Sequence, residues 1–345
     1  MLTMEEYKPM AAMVTAQCIY AVMNMLGKAA LNSGFSPLIF VVYKLTIATL
    51  FLIPTLFLVK GGRVTAMSIN LKGFCLVFLA ALAGGTLNKF LYYIGLNLGD
   101  TSMASSICNL IPAITFVMAA SVGLERVELR SLRSWAKIIG TIVCVGGAMI
   151  LTFFKGPRIL NSTQNPLNWD KDFDPTGYKW ILGALCQLGS ASTYSLWLIL
   201  QAPLCAYVDP LAQTVWFCLL SSVQSATVVF FVEPNPSAWI ITSVTQLSAC
   251  LFAGIFASGV CFYLQSWCIS VRGPVYCAMF SPLSTVITII LASVTLHEEL
   301  HLGSLIGAVA IIGGLYVVLW EKTEDLKHAK EDYDGYIQCQ TSASS

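Results

Sequence analysis

The chain has 345 residues, of which 57% are hydrophobic and only 11% are charged, and its formal net charge is +1. Ordinary soluble domains have about a quarter of their residues charged, so this composition excludes that class and is typical of a membrane protein. The near-zero net charge argues against a nucleic-acid partner.

Ten apolar windows follow one another along the chain, each roughly 18 to 23 residues long and therefore able to cross about 30 Å of hydrocarbon as a helix. They begin near Met10, Leu38, Gly73, Ser102, Trp135, Trp180, Leu211, Leu247, Val275 and Gly303. The first window is too long for a signal peptide and lacks a basic n-region, so we expect it to remain as a helix. The sequence predicts an all-α integral membrane protein with ten transmembrane helices.

The distribution of Lys and Arg predicts the orientation of these helices. Most of them fall in the segments that lie inside if the N-terminus is cytosolic, and positive loops remain on the cytosolic side. Residues 1–9 and the polar tail 321–345 are therefore predicted to be cytosolic. Residues 155–179 are predicted to form an extracytoplasmic loop, in which Asn161 belongs to an N-x-S/T sequon and is a candidate glycosylation site.

The second half of the sequence repeats the first at an offset of about 170 residues. That offset aligns residues of equivalent windows, for example Gln17 with Gln187 and Pro112 with Pro282. Each unit, 10–154 and 180–320, contains five windows. Because five is an odd number, the two copies must cross the membrane in opposite directions. Such inverted repeats are the architecture of many secondary transporters.

Polar side chains form one face of the first window, at spacings of three and four residues, and a matching face of the sixth. The first face consists of Gln17, Tyr20, Asn24 and Lys28, and the face in the sixth window consists of Gln187, Ser190, Tyr194, Trp197 and Gln201. Polar groups in hydrocarbon are costly and should face the bundle interior. We therefore predict that both faces line one substrate cavity at the membrane midplane. Hydrogen bonding between helices is the alternative.

The third and eighth windows add four candidate substrate-binding residues: Asn88 and Lys89 in one, and Ser258 and Gln265 in the other. Lys89 is the most informative, because an ammonium about seventeen residues into its window needs a counter-charge, an aqueous cavity or a route to the interface. Lys44 lies about seven residues from the predicted outer end of its helix, and we assign it a structural or gating role.

The fourth and ninth windows each contain a proline, Pro112 and Pro282, and the candidate binding residue Asn109 precedes the first. A proline bends a helix and frees a carbonyl, so we interpret both positions as kinks or hinges. Glu125 and Glu298 follow at helix ends on opposite sides. Two roles remain as alternatives for these glutamates: an ion pair at a gate, or a cap that interacts with the helix dipole.

An H-E-x-x-H pattern, typical of zinc metalloproteases, occurs at His297, Glu298 and His301. On a helix this spacing places both imidazoles on one face, where they can share a Zn²⁺ ion. The corresponding segment of the first half keeps the glutamate as Glu125 but has neither histidine, and a third ligand is hard to find. We predict no metal site and no cofactor, and retain an intramembrane zinc protease as an alternative.

Four runs of residues carry a family resemblance: Gly84–Leu96, Asn109–Phe116, Phe40–Lys44 and Gly273–Tyr276. They resemble the plant nodulin-like EamA transporters, the Walls-Are-Thin-related or UMAMIT proteins of the drug/metabolite transporter superfamily. The resemblance implies ten spans in two EamA repeats, and export or facilitated movement of amino acids or related solutes such as auxin across the plasma or vacuolar membrane. This sequence departs from the family pattern at Lys44, where Arg is usual, and at Lys89, where Gln is expected.

The acidic residues all lie outside the middle of the windows, and no phosphate-binding loop motif occurs. The usual carboxylate proton relay of pumps is therefore missing, which favours a facilitator that works by alternating access. A cation-rich interior without carboxylates suits a small molecule with a carboxylate. We predict a non-enzymatic, bidirectional carrier of amino acids or related carboxylates. Its partners are that substrate and the lipid bilayer. A non-transporting scaffold is a second alternative, and homo-oligomerisation is left open.

Overall fold

A computed structural model describes residues 4–61, 67–99, 101–125, 132–153, 158–160, 178–295, 300–301, 303 and 305–318. The helices are α1 (Met4–Asn32), α2 (Pro37–Val59), α3 (Leu71–Ala80), α4 (Asn88–Leu98), α5 (Thr101–Cys108), α6 (Ile111–Ser121), α7 (Leu132–Phe153), α8 (Tyr178–Leu204), α9 (Pro210–Val232), α10 (Val244–Phe252), α11 (Cys261–Arg272), α12 (Pro274–Met279) and α13 (Ser281–Thr295). The last apolar helix, α14, is Leu305–Val318. Two π-helices, π1 (Ala81–Leu87) and π2 (Ala253–Val260), join α3 to α4 and α10 to α11.

Helical segments occupy all ten predicted apolar windows. Among the described residues, seven helical stretches are long and apolar enough to cross a membrane: Tyr7–Asn32, Pro37–Val59, Leu71–Leu98, Met103–Ser121, Pro210–Val232, Val244–Arg272 and Pro274–Val294. Two apolar helices, Ile138–Ile150 and Leu305–Val318, are shorter. α8 has 27 residues, which is enough length for a span, but it is more polar. The helical membrane architecture is confirmed, and the number of ten spans stays a prediction.

Large apolar side chains cover the outside of the molecule as well as its core. Leu58 and Val244, for example, are each 83% exposed. Such a surface is unfavourable in water and suits a lipid environment. The main core lies where the two halves meet, and its buried members include Trp197, Phe217 and Phe280.

Two helical spans in each half are interrupted at equivalent places. π1 and π2 widen the turn in the third and eighth windows, and π-helical turns occur frequently at functional sites. α5 and α6 are separated by a short turn ahead of Pro112, and α12 and α13 meet ahead of Pro282. A proline lacks the backbone N–H that would continue the preceding helix, and each proline is the second residue of the helix that begins there. The predicted kinks are therefore breaks between separate helices.

The helices of the two halves pack in a reciprocal pattern. α1 lies against α10, π2, α11 and α13, and α8 lies against α3, π1, α4 and α6. α2 and α9 run antiparallel along each other. Ser36, before α2, donates a hydrogen bond of 2.5 Å to the carboxylate of Glu233, after α9. Lys60, after α2, forms a 3.2 Å ion pair with Asp209, before α9. Antiparallel packing of equivalent helices is what an inverted repeat predicts.

Two short strands depart from the all-α prediction. β1 (Arg158–Leu160) and β2 (Leu300–His301) pair antiparallel, so the segment after α7 lies beside the segment before α14. His301 is therefore in extended backbone, where the helical face required by the H-E-x-x-H pattern does not form. His297 and Glu298 lie outside the described residues. Within the described ranges, no group of three or more His, Cys, Asp or Glu side chains could hold a metal ion.

Candidate functional site

Two connected chambers lie between the halves of the molecule. The central chamber has a volume of about 320 Å³, and the end chamber has a volume of about 500 Å³. Asn24, Lys44 and Tyr194 belong to the walls of both, so the chambers form one cavity. The end chamber reaches Lys28 and Asn32, which are exposed near the end of α1. A cavity of this size accommodates a small organic molecule.

Most of the predicted substrate-binding side chains line the central chamber. They are Gln17, Tyr20, Asn24, Lys89, Asn109, Tyr194, Trp197 and Ser258. Asn88 lines the end chamber. The polar faces predicted for the first and sixth windows thus meet across one space, because α1 and α8 occupy reciprocal positions in the bundle.

Lys44 and Lys89 bring two cationic groups into this cavity, one from α2 and one from α4. Lys44 is only 7% exposed, and both side chains line both chambers. The two ammonium groups are close enough to repel each other. In the described part of the chain, neither makes a hydrogen bond or an ion pair. Lys44 lies on the cavity wall, and the structural or gating role predicted for it stays a prediction.

Three aromatic side chains close the central chamber at the end opposite to the end chamber. This aromatic layer consists of Trp197, Phe217 and Phe262, whose ring centroids lie 5.1 to 5.4 Å apart. Behind it, between Gln201 and Gln213, the remaining space is about 10 Å³, which holds about one water molecule. The cavity is therefore closed at this end.

Asn88 and Ser190 join α4 to α8 by reciprocal hydrogen bonds. Nδ2 of Asn88 donates to the carbonyl oxygen of Ser190 at 2.8 Å, and Oγ of Ser190 donates to the carbonyl oxygen of Asn88 at 3.0 Å. Gln187 packs nearby against Gly95 and donates to the carbonyl of Tyr92 at 2.9 Å. Gln187 is not part of either chamber wall. Gln187 and Ser190 therefore form hydrogen bonds between helices, which is the alternative to cavity lining that the sequence allowed.

Gln265 also lies outside the chamber walls, but it contacts a wall residue. Its Nε2 donates to the hydroxyl of Tyr194 at 3.1 Å and so orients that phenol in the cavity. Ser258 Oγ and Asn109 Nδ2 are buried and have no hydrogen-bond partner in the structure. Such groups are rare in proteins, and both residues line the central chamber. They are available to hydrogen-bond a ligand or water.

The hinge and gate candidates are only partly within the described residues. Pro112 and Pro282 lie at the helix breaks, and Glu125 is buried after α6. Their hinge and gate roles stay predictions. Glu298 and the glycosylation candidate Asn161 lie outside the described residues.

Several residues of the cavity wall were missed by the sequence analysis. Phe217, Phe262 and Tyr92 are aromatic residues in apolar windows, where no periodic polar signal distinguishes a cavity wall from packing. A different signal was present in α13: Ser281, Ser284 and Thr285 follow each other at helical spacing beside Pro282 and line the central chamber.

Comparison with known proteins gives consistent matches over nearly the whole chain. The sequence model of the EamA-like transporter family matches residues 8–153 and 181–320. A WAT1-related protein of Arabidopsis thaliana is 43% identical over 331 residues, which cover 94% of this chain and 88% of that protein. The protein WALLS ARE THIN 1 of Arabidopsis thaliana is 38% identical over 328 residues, which cover 92% of this chain and 84% of that protein.

A solved crystal structure has the same fold. It superposes with a TM-score of 0.70 at 18% sequence identity, and the match covers 90% of this chain and 96% of that one. At this low identity, the likeness shows the fold alone.

Proposed function

The chain belongs to the EamA-like transporter family, and on that premise we propose that this membrane transporter carries small organic carboxylates. The class includes amino acids and aromatic acids such as auxin. The substrate binds in the cavity between the two halves and is released on the other side of the membrane by alternating access. The family match and the WAT1-related relatives give no support to the zinc protease alternative.

The observation that carries this proposal is the pair Lys44 and Lys89. Two ammonium groups face one buried cavity, and neither has a carboxylate partner in the part of the chain that the structure describes. A buried charge is strongly disfavoured unless it is paired or hydrated. An anionic ligand therefore gains more from this cavity than a neutral or cationic ligand of the same size.

The remaining wall residues fit the rest of such a molecule. Asn109 and Ser258 offer unpartnered polar groups in the central chamber, and Tyr194 presents a hydroxyl held by Gln265. The face of Trp197 borders the same chamber, beside Phe262. A carboxylate near the lysines and a flat or apolar group near Trp197 would use both parts of the wall.

The test is efflux, into medium that contains the same compound unlabelled, from cells that express the chain and have been preloaded with labelled amino acids or labelled indole acetic acid. We expect efflux of at least one of these carboxylates, and we expect Lys89→Gln to reduce it by about tenfold or more, because a charge-assisted contact in a buried site contributes about 1.5–3 kcal/mol. Lys72→Gln removes an equal charge from an exposed position outside both chambers. This control should transport like the unaltered chain.

Surface amounts of all variants must be matched before the rates are compared. No efflux of either class from protein verified at the cell surface would contradict the proposed cargo. Efflux that is equal in Lys89→Gln and in the unaltered chain would contradict the role of the lysines.

A further inference from the structure

The aromatic layer has a counterpart of different chemistry in the other half of the molecule. An offset of 170 residues aligns Trp197 with Gly27 and Phe262 with Tyr92. α2 and α9 both have 23 residues and both begin with proline, so Phe217 corresponds to Lys44. The counterparts Gly27, Lys44 and Tyr92 all line the end chamber. One end of the cavity is therefore closed by an apolar layer, and the equivalent positions at the open end include a cation.

Alternating access exchanges the arrangements of the two repeats. When the end chamber closes, Gly27, Lys44 and Tyr92 are expected to approach one another as Trp197, Phe217 and Phe262 do now. That movement separates the Lys44 ammonium from the open end chamber and leaves it, with Lys89, facing only the enclosed central chamber. No carboxylate within the described residues is placed to neutralise either charge.

We propose that the chain is a carboxylate exchanger in which the cavity reorients rapidly only when a carboxylate is bound. The bound carboxylate pairs with the enclosed lysines and offsets one of their two positive charges, whereas the empty cavity must enclose both uncompensated, which is strongly disfavoured. Each carboxylate that leaves is then replaced by another that returns. This inference rests on the proposed function, and it replaces the facilitator predicted from the sequence by a carrier with coupled exchange.

The purified full chain in proteoliposomes tests the inference. Uptake of labelled indole acetic acid, or of whichever labelled amino acid shows efflux from cells, is compared between vesicles loaded with the same unlabelled compound and vesicles loaded only with a sulfonate buffer. The membrane potential is held at zero with potassium and valinomycin, and chloride is excluded. We expect uptake into the loaded vesicles to be roughly tenfold faster or more, because returning empty buries uncompensated charge.

Two variants separate charge from structure. Lys89→Arg keeps the positive charge and should keep a large ratio of exchange to net uptake, whereas Lys89→Gln should lower that ratio toward one, even if both rates fall. Lys44→Gln provides a second neutral variant should Lys89→Gln lose all uptake. Lys72→Gln, with an exposed side chain outside the cavity, should keep the ratio.

The outcomes distinguish the two proposals. Equal uptake into loaded and buffer-filled vesicles by the unaltered chain would overturn exchange and leave the carboxylate transporter intact. A large ratio of exchange to net uptake that persists unchanged in Lys89→Gln and in Lys44→Gln would also overturn the role of these lysines in coupling. Absence of labelled uptake in every vesicle, despite correctly inserted protein, would contradict the proposed function itself.

Discussion

At the scale of single residues, the cavity wall combines groups that a membrane interior normally disfavours. Lys44 is buried among apolar helices, and taking an unpaired ammonium out of water costs several kcal/mol, on the order of 3 or more. The cost is tolerable because the side chain ends at a cavity of several hundred Å³, which is polar and large enough to hydrate it. The proposed function would account for a cation at a position where packing alone favours an apolar residue.

Cys108 provides a natural probe of this positive cavity. It lines both chambers and lies close enough to Lys89 for the two groups to interact electrostatically. We expect its thiol to react faster with a negatively charged methanethiosulfonate than with a positively charged reagent of similar size, each rate being divided by that reagent's rate with a free thiol. A difference of about fivefold or more corresponds to ~1 kcal/mol of interaction between charges a few ångströms apart.

The measurement is inhibition of transport by each reagent. Lys44→Gln and Lys89→Gln should each reduce the preference for the negative reagent, and Cys108→Ser should make transport insensitive to both. Equal rates for the two reagents in the unaltered chain would contradict a positively charged cavity.

At the scale of secondary-structure elements, close contacts between helices depend on glycines that face a neighbouring backbone. α7 and α14 meet in this way: a Cβ atom added at Gly314 would lie 2.6 Å from the backbone nitrogen of Cys144 and 2.7 Å from the carbonyl oxygen of Gly140. The neighbouring Gly313 points away and has no atom within 4 Å of an added Cβ. Adjacent glycines in one helix thus have opposite environments.

This contrast predicts opposite signs for two alanine substitutions. Gly314→Ala should destabilise the protein by ~1–3 kcal/mol, because backbone atoms offer little room to shift. Gly313→Ala should stabilise it by up to ~1 kcal/mol, since alanine has the better helix propensity. Apparent melting temperatures of the purified variants in one detergent measure both effects. A decrease of similar size for both, or no decrease for Gly314→Ala, would contradict the close α7–α14 contact.

Sequence periodicity predicted the helices well and their interruptions poorly. The ten windows are set by runs of apolar residues, and the structure has helix in each of them. The turns ahead of Pro112 and Pro282 follow from proline chemistry, although a kink was predicted where the helix breaks. π1 and π2 were not predicted, because a π-helical turn has no signal in apolar periodicity; each contains a glycine packed closely against a helix distant in sequence. A Cβ at Gly84 would lie 2.4 Å from the ring of Trp197, and one at Gly254 would lie 2.5 Å from the side chain of Ile47.

The candidate site was likewise predicted in part from the sequence. A polar side chain in an apolar helix predicts a residue that faces the protein interior, and most of the predicted residues do line the cavity. Gln187 satisfies the same pattern but bonds to the backbone of α4. The sequence pattern does not distinguish these outcomes, because a cavity wall and a hydrogen-bonded helix contact both require an inward-facing polar group.

At the scale of the whole molecule, the two ends of the α2–α9 pair are held by different interactions. The end near the aromatic layer has the ion pair between Lys60 and Asp209, and the opposite end has the hydrogen bond from Ser36 to Glu233. These four residues flank the same antiparallel pair. If the two halves rock against each other, the ion pair holds together the end at which the cavity is closed, and its loss should favour opening of that end.

A double-mutant cycle tests this balance. Lys60→Gln and Asp209→Asn should each decrease the rate at which Cys108 reacts with the negative reagent applied from the side of the end chamber, because a larger fraction of molecules opens at the other end. Lys60 and Asp209 are 39% and 47% exposed, so the pair contributes ~1 kcal/mol at most, and the change in the ratio of the two states should not exceed about fivefold. The double variant should show little more effect than either single variant, since both remove one shared interaction. Additive effects of the two charge changes would show that the residues act independently, and unchanged Cys108 rates in both single variants would contradict a role of this ion pair in keeping that end closed.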